Sequence, residues 1–240
     1  MSVLPALPAL PAAAAVELEF DRQLHALVAA GLPALLGLTE ECFRACCEPL
    51  RDVLPAGPAG DGVPFVVVVP DVPVLEVLAT VQTAGGGGTS ALAVDELARF
   101  RPLPELGVPT VPYLVLDVDT GAATLGVPPR DVAARLAATG RTPLTLDEGL
   151  ALLVSDPGVL RSRGCFSLAG ARAGDERVPA LWVGGRRPRL GWCSRDEPSD
   201  WLGTASCAGR ATGGPALPDP RTDPGTSPGG SIRRVLKSPP

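Results

Sequence analysis

The chain is poor in the side chains that most often carry chemistry: one histidine, one tyrosine, one methionine and one lysine in 240 residues. The single lysine, Lys237, lies in a proline-rich C-terminal segment. That position excludes a Schiff-base lysine in a folded pocket and leaves no lysine for a phosphate-binding loop. The single histidine, His25, is the one candidate for a Ser-His or Cys-His pair. Its surroundings, FDRQLHALVAAG, read as a helix, and a lone helical histidine reads as structural. There are six cysteines, but no two stand at the Cys-x-x-Cys spacing of a zinc site, so no metal and no cofactor is expected.

Long apolar runs are also missing. None approaches the ~20 residues needed to span a bilayer. The N-terminal MSVLPALPALPAAAA has no basic residue before its apolar part, and Pro5, Pro8 and Pro11 break it, so it is a poor signal peptide. The expected setting is therefore cytoplasmic, with no membrane partner and the cysteines as thiols. Of the 21 basic residues all but Lys237 are arginine, and the net charge is -5. Such a balance gives no general attraction to nucleic acid.

What is present fits a globular chain: 45% hydrophobic and 20% charged residues are enough for a sizeable core. The 28 glycines and 28 prolines gather at the ends and in loops. The expected organisation is a low-complexity arm over residues 1–11, one domain over 12–210, and a Pro/Gly/Ser-rich tail over 211–240 that reads as disordered.

Within the domain, Phe20, Leu24, Leu27 and Val28 repeat at helical spacing, and Gly31 supplies a stop. Thr39 is the expected N-cap of a second helix bearing Phe43, Cys46, Cys47, Leu50 and Leu54. PFVVVVP reads as a buried strand, and VLEVLATVQ as a second β-rich run with helix as its alternative. The glycine cluster in TAGGGGTSA lacks the lysine of a phosphate loop and reads as a flexible loop. YLVLDV is the clearest strand. Pro128-Pro129 and Gly140 bracket one helix, and Thr145 with Glu148 forms a capping box for the next. Beyond Pro157, short apolar runs separated by glycine pairs read as hairpins.

Two chemical readings converge on the end of YLVLDV. An apolar strand ending in Asp117-x-Asp119 resembles the first motif of haloacid dehalogenase-type phosphotransferases, in which one aspartate is nucleophile and the next an acid/base around Mg²⁺. That motif calls for an orienting cation and a later acidic metal pair, for which Asp175 and Glu176 are weak substitutes. The overlapping VDTGA matches an aspartic-protease signature, but the segments that follow it read helical. The plain alternative is a strand leaving the core through an Asp-Thr-Gly turn.

The residues from Thr142 to Arg210 hold all three tryptophans and half of the cysteines. Trp182 sits in an apolar run and is assigned to the core. Trp192 and Trp201 stand among charged residues, where rings border clefts. Arg172, Asp175 and Arg177 occupy a neighbouring turn, so the candidate ligand-binding set is Arg172, Asp175, Arg177, Trp192 and Trp201. The arginines near Trp192 could also stack on a single strand of nucleic acid, but Asp196, Glu197 and Asp200 cancel much of that charge. A weaker option is a thiol sensor built from Cys165, Cys193 and Cys207.

The runs RTPLTLDEGLALL, CFSLAG, GDERVPALWV, PRLGWC and DWLGTASCAGR, with YLVLDVDTG and the FDRQ helix, resemble an uncharacterised family of soluble actinobacterial proteins. The resemblance covers roughly residues 14–210 and implies no activity, since the family is a domain of unknown function. The pattern it resembles often includes a further cysteine near Ala173 and a histidine near Ser199. This chain has neither.

The expected fold is α+β: an N-terminal helical pair, a mixed β-sheet with flanking helices that includes 64–69 and 113–118, and a β-rich C-terminal section. The leading functional expectation is a non-enzymatic binding or interaction domain for a small molecule or protein, with its cleft near Trp192. The alternative is an Asp-dependent hydrolase or phosphotransferase centred on Asp117 and Asp119.

Overall fold

A computed structural model describes residues 11–57, 62–160 and 164–214. Helix α1 (Ala12–Ala29) leads through α2 (Leu32–Leu35) to α3 (Glu40–Cys47). Strand β1 (Val63–Val68) and helix α4 (Val74–Thr80) come next, then β2 (Gln82–Thr83), β3 (Gly86–Gly87) and β4 (Thr89–Ser90). Helix α5 (Val94–Leu97), β5 (Arg101–Pro102), β6 (Tyr113–Val118), α6 (Pro129–Ala138), β7 (Thr142–Pro143) and α7 (Leu146–Ser155) form the middle of the chain. From Cys165 the elements are strands: β8 (Cys165–Ser167), β9 (Ala171–Arg172), β10 (Arg177–Gly184), β11 (Arg187–Ser194), β12 (Leu202–Thr204), β13 (Ser206–Cys207) and β14 (Gly209–Ala211). The fold is α+β, helical first and β-rich last. No helix among the described residues is long and apolar enough to cross a membrane.

Two sheets organise the core. One is antiparallel throughout, in the order β1–β6–β14, with Phe65 opposite Leu116 and Gly209 opposite Leu116 on its other side. The other has five strands in the order β12–β8–β10–β11–β4. It carries the mixed pairing, because β12 runs parallel to β8 and β4 parallel to β11 while the β10 pairs are antiparallel. The β10–β11 hairpin turns through Gly185 and Arg186, both at positive φ, as the right-handed twist of a two-residue connection demands.

Helix α7 lies at the centre. It packs on β1, α1 and α4, and nearly every residue from Leu146 to Ser155 is buried. A helix apolar on all sides belongs in an interior. The expected capping box is present: the Thr145 hydroxyl accepts from the Glu148 N–H and the Glu148 carboxylate accepts from the Thr145 N–H. Gly149 lets α7 approach closely, since a Cβ there would stand 2.4 Å from Leu168 Cδ2.

The outer edge of β1 is closed by a side chain. Gln23 of α1, fully buried, donates to the Phe65 carbonyl at 2.9 Å and accepts from the Val67 N–H at 2.8 Å. Its amide takes the place of a neighbouring strand and satisfies groups that would otherwise be costly to bury.

Two local expectations change. Residues 74–80 are helix α4 rather than strand, with Pro73 at its N-cap and Val77 and Leu78 buried. Packing against α7 outweighs the β propensity of its valines. The glycine cluster is not a loose loop. Thr83 and Gly86 pair in the β2–β3 ladder, and a Cβ at Gly85, Gly87 or Gly88 would stand 2.5–2.6 Å from a backbone oxygen. Glycine is there because two backbones meet. The expected arm lies almost wholly outside the described residues, and so do residues 215–240 of the expected tail. Ala211, where that tail was placed to begin, pairs with Leu114 as the last residue of β14.

Candidate functional site

The chain leaves β1 through Pro70, Asp71, Val72 and Pro73 before α4 begins. The prolines cannot continue a strand, and Asp71 takes a left-handed conformation with φ 59° that aspartate tolerates better than most residues. This bend forms one wall of a cavity of about 620 Å³. Helix α5 supplies the facing wall with Val94, Leu97 and Ala98, and the chain from Phe100 to Pro104 continues it. Residues Gly107–Thr110 close one side. The floor is the first turn of α7, from Thr145 to Asp147, with Ala171 of β9 beside it. The β5–β9 ladder fixes the wall to the floor, pairing Pro102 with Ala171. A volume of this size, with mainly apolar walls and a few polar groups, is typical of small-molecule sites.

Two adjacent carboxylates in the first turn of α7 have opposite environments. Glu148, fully buried, accepts Arg210 Nε at 2.5 Å and Arg210 Nη2 at 2.8 Å, the Tyr113 hydroxyl at 3.0 Å and the Thr145 N–H at 2.8 Å. Its charge is matched and its lone pairs are used. Burial and the neighbouring Glu148 charge push the Tyr113 hydroxyl far up, so it stays protonated as a donor. Asp147 lines the cavity. Burial, then the charges of Asp71 and Glu148, push its carboxyl up to about 6, and neither a hydrogen bond nor an ion pair within the described residues holds it down. Asp71 and Glu76 add two more carboxylates to the lining, against the guanidinium of Arg101.

The tryptophan-centred set divides. Asp175, Arg177 and Trp192 come together: the Arg177 guanidinium lies 5.7 Å above the Trp192 ring and donates to Asp175 at 3.0 Å. Arg177 also reaches Glu96 at 3.3 Å, and Arg99 reaches Asp175 at 3.4 Å. Trp201 instead packs edge-on against Trp182, ring centres 6.4 Å apart. Arg172 stands in β9 opposite Arg101. Trp192 and Trp201 are 50% and 47% exposed, so both present ring surface to solvent.

At the end of β6, Arg141 donates to the Asp117 carboxylate at 2.5 Å and to the Asp117 carbonyl at 2.6 Å. Asp117 has φ 50°. Asp119 accepts the Gly121 N–H at 2.7 Å, which makes the Asp-Thr-Gly turn. Gly121 is required there, because a Cβ would stand 2.3 Å from the Thr204 carbonyl oxygen. Of the C-terminal cysteines, Cys165 and Cys193 share a small apolar cluster with Leu202 and Trp182, whereas Cys207 lies in the main core with its sulfur 3.4 Å from the Thr142 hydroxyl. Among the described residues no group of three or more His, Cys, Asp or Glu is arranged to hold a metal ion.

Asp71, Glu76, Arg101, Arg141 and Arg210 were not among the residues expected at a site. The bracketing of Asp71 by Pro70 and Pro73 was the one local sign of a fixed bend. The others depend on contacts between distant segments. The chain matches the family of unknown function DUF5701 over residues 26–213 and belongs to it. No curated protein and no solved structure matches it.

Proposed function

We propose that the chain is a binding domain for a small molecule and that the ligand seats in the cavity over the first turn of α7. One observation carries this reading: a cavity of about 620 Å³ is lined by a partly buried carboxyl, Asp147, whose charge has no partner among the described residues. The neighbouring Glu148 has every partner it needs. Leaving one of two adjacent carboxyls unmatched is costly in a purely structural role, and such groups gather at functional sites. The cavity is a better seat than the Trp192 rim, where Arg177 already lies over one face of a half-exposed ring. Buried thiols at Cys47 and Cys207 suit a reducing, cytoplasmic setting.

A thermal-shift screen of the full chain tests the reading. Ligands that raise the midpoint of the natural sequence should lose that effect in Ala98→Trp, which sets an indole on the cavity lining just past the end of α5. Ligands equally effective on both proteins would place the site elsewhere.

A second reading keeps the hydrolase or phosphotransferase centred on Asp117 and Asp119. It draws on Arg141, the cation that holds Asp117, and on the positive φ of Asp117 at a strand end. Mg²⁺-dependent phosphatase turnover abolished by Asp117→Asn, or acid proteolysis abolished by Asp119→Asn, would favour it over the binding reading.

A further inference from the structure

We infer that the cavity between α4, α5 and the start of α7 takes a small organic cation, a protonated amine or amidine carried on an apolar body. The inference deepens the binding reading above and rests on it.

Charge decides the class. Asp71, Glu76 and Asp147 line the cavity, and Arg101 is the guanidinium among them. The start of α7 adds positive potential from its free N–H groups, but that amounts to roughly half a charge. It does not offset three carboxylates. Glu148 raises Asp147 further but does not itself line the cavity, and its carboxylate is paired with Arg210. An anionic ligand would meet net repulsion, and a neutral one would leave Asp147 desolvated without a counter-charge. A cation supplies the missing partner, and the attraction is strengthened because the group is already partly withdrawn from water.

The walls set the rest of the ligand. Val72, Leu75, Val94, Leu97 and Val108 give the cavity apolar sides, so a strongly hydrated ion alone would leave that surface unused. An amine joined to a ring or short alkyl group uses both parts. Rigidity favours the arrangement. Pro70 and Pro73 fix the bend that carries Asp71, and the capping box fixes the turn that carries Asp147.

The groups facing Asp147 are Asp71 from the β1–α4 bend and Glu148 on its own helix, with Glu76 of α4 and Arg101 of β5 in the same lining. Binding of a cation should therefore weaken as pH falls and Asp147 takes up its proton.

Three probes of one shape test the inference on the full chain by titration calorimetry: phenethylamine, phenethyl alcohol and phenylacetate. The amine should bind tightest at about pH 7.5 and lose roughly tenfold in affinity at about pH 5, a change on the scale of one lost charge contact. Asp147→Asn should weaken the amine about tenfold while changing the alcohol by less than about threefold. Binding of the alcohol or the acid in preference to the amine would overturn the cationic assignment and leave the cavity as a binding site. Failure of all three to bind, or binding unchanged in Ala98→Trp, would overturn the cavity itself and the assignment with it.

Discussion

Arg210, from the last strand of the fold, grips Glu148 in the first turn of the central helix with two nitrogens, at 2.5 and 2.8 Å, across 62 residues of sequence. The arginine is 7% exposed and the glutamate fully buried. The same guanidinium donates to the Thr142 hydroxyl at 2.8 Å and the Pro143 carbonyl at 3.2 Å. One side chain thus ties β14 to β7 and to α7. It leaves Glu148 matched and the adjacent Asp147 the unmatched carboxyl of the pair.

Removing one member of that pair should be severe. Arg210→Met leaves a buried carboxylate supported by Tyr113 and one backbone N–H, at a cost of about 3–5 kcal/mol. The double variant Arg210→Met with Glu148→Gln removes the stranded charge and should recover part of the loss. Urea unfolding of the three proteins measures both. A single-variant cost below about 1 kcal/mol would show that Glu148 is not held as described.

The glycine cluster offers a test of packing against flexibility. Gly88→Ala places a methyl group 2.5 Å from the Leu78 carbonyl oxygen and 2.7 Å from Leu78 Cδ1. The expected cost is about 1–3 kcal/mol from overpacking. Gly209→Ala meets nothing within 4 Å and should fall within about 0.5 kcal/mol of the natural chain. Equal, small effects at both positions, measured by thermal unfolding, would restore the loose-loop reading.

Much of the fold is legible because its signals are local. The apolar runs of β1 and β6, the Thr39 cap and the Thr145–Glu148 box each need only a few consecutive residues, and the structure forms all four. Helix α4 was ambiguous for the opposite reason: its valines favour a strand, and packing on α7 decides otherwise. The cavity was hidden because its walls come from segments as far apart as Pro70 and Ala171. Asp147 is visible in the sequence beside Glu148, but there the positive end of the helix accounts for both acidic residues, and only the cavity shows that one of them is left unmatched. The tryptophans stand out by composition, yet Trp201 packs on Trp182 and Trp192 is the one that meets the charged turn.

Trp192 separates the cavity from the rim. Its ring is half-exposed, so Trp192→Ala should cost less than about 1 kcal/mol in thermal unfolding. A ligand seated over α7 should bind this variant within about threefold of the natural chain, a difference below one kcal/mol. A loss of binding with stability intact would move the site to Arg177 and Trp192.

Asp147 makes the sharpest pH prediction. Its carboxyl is pushed up to about 6, first by burial and then by the charges of Asp71 and Glu148. In the unfolded chain the same group titrates near the ordinary aspartate value of about 4. Between those values the folded state holds more protons than the unfolded state, so stability falls as pH rises from about 4 to about 6. Above that window the charged carboxyl is a standing cost; below it the cost vanishes. Asp147→Asn removes the titration. The variant should be more stable than the natural chain at about pH 7.5, by roughly 1–2 kcal/mol once solvent screening of a partly buried group is allowed for. The two proteins should converge below about pH 4, where the natural carboxyl is neutral in both states. Chemical unfolding at a series of pH values measures the difference directly. A variant less stable than the natural chain at neutral pH would mean that the Asp147 charge is welcome in the empty fold, and its carboxyl would then be a helix cap rather than a group awaiting a partner.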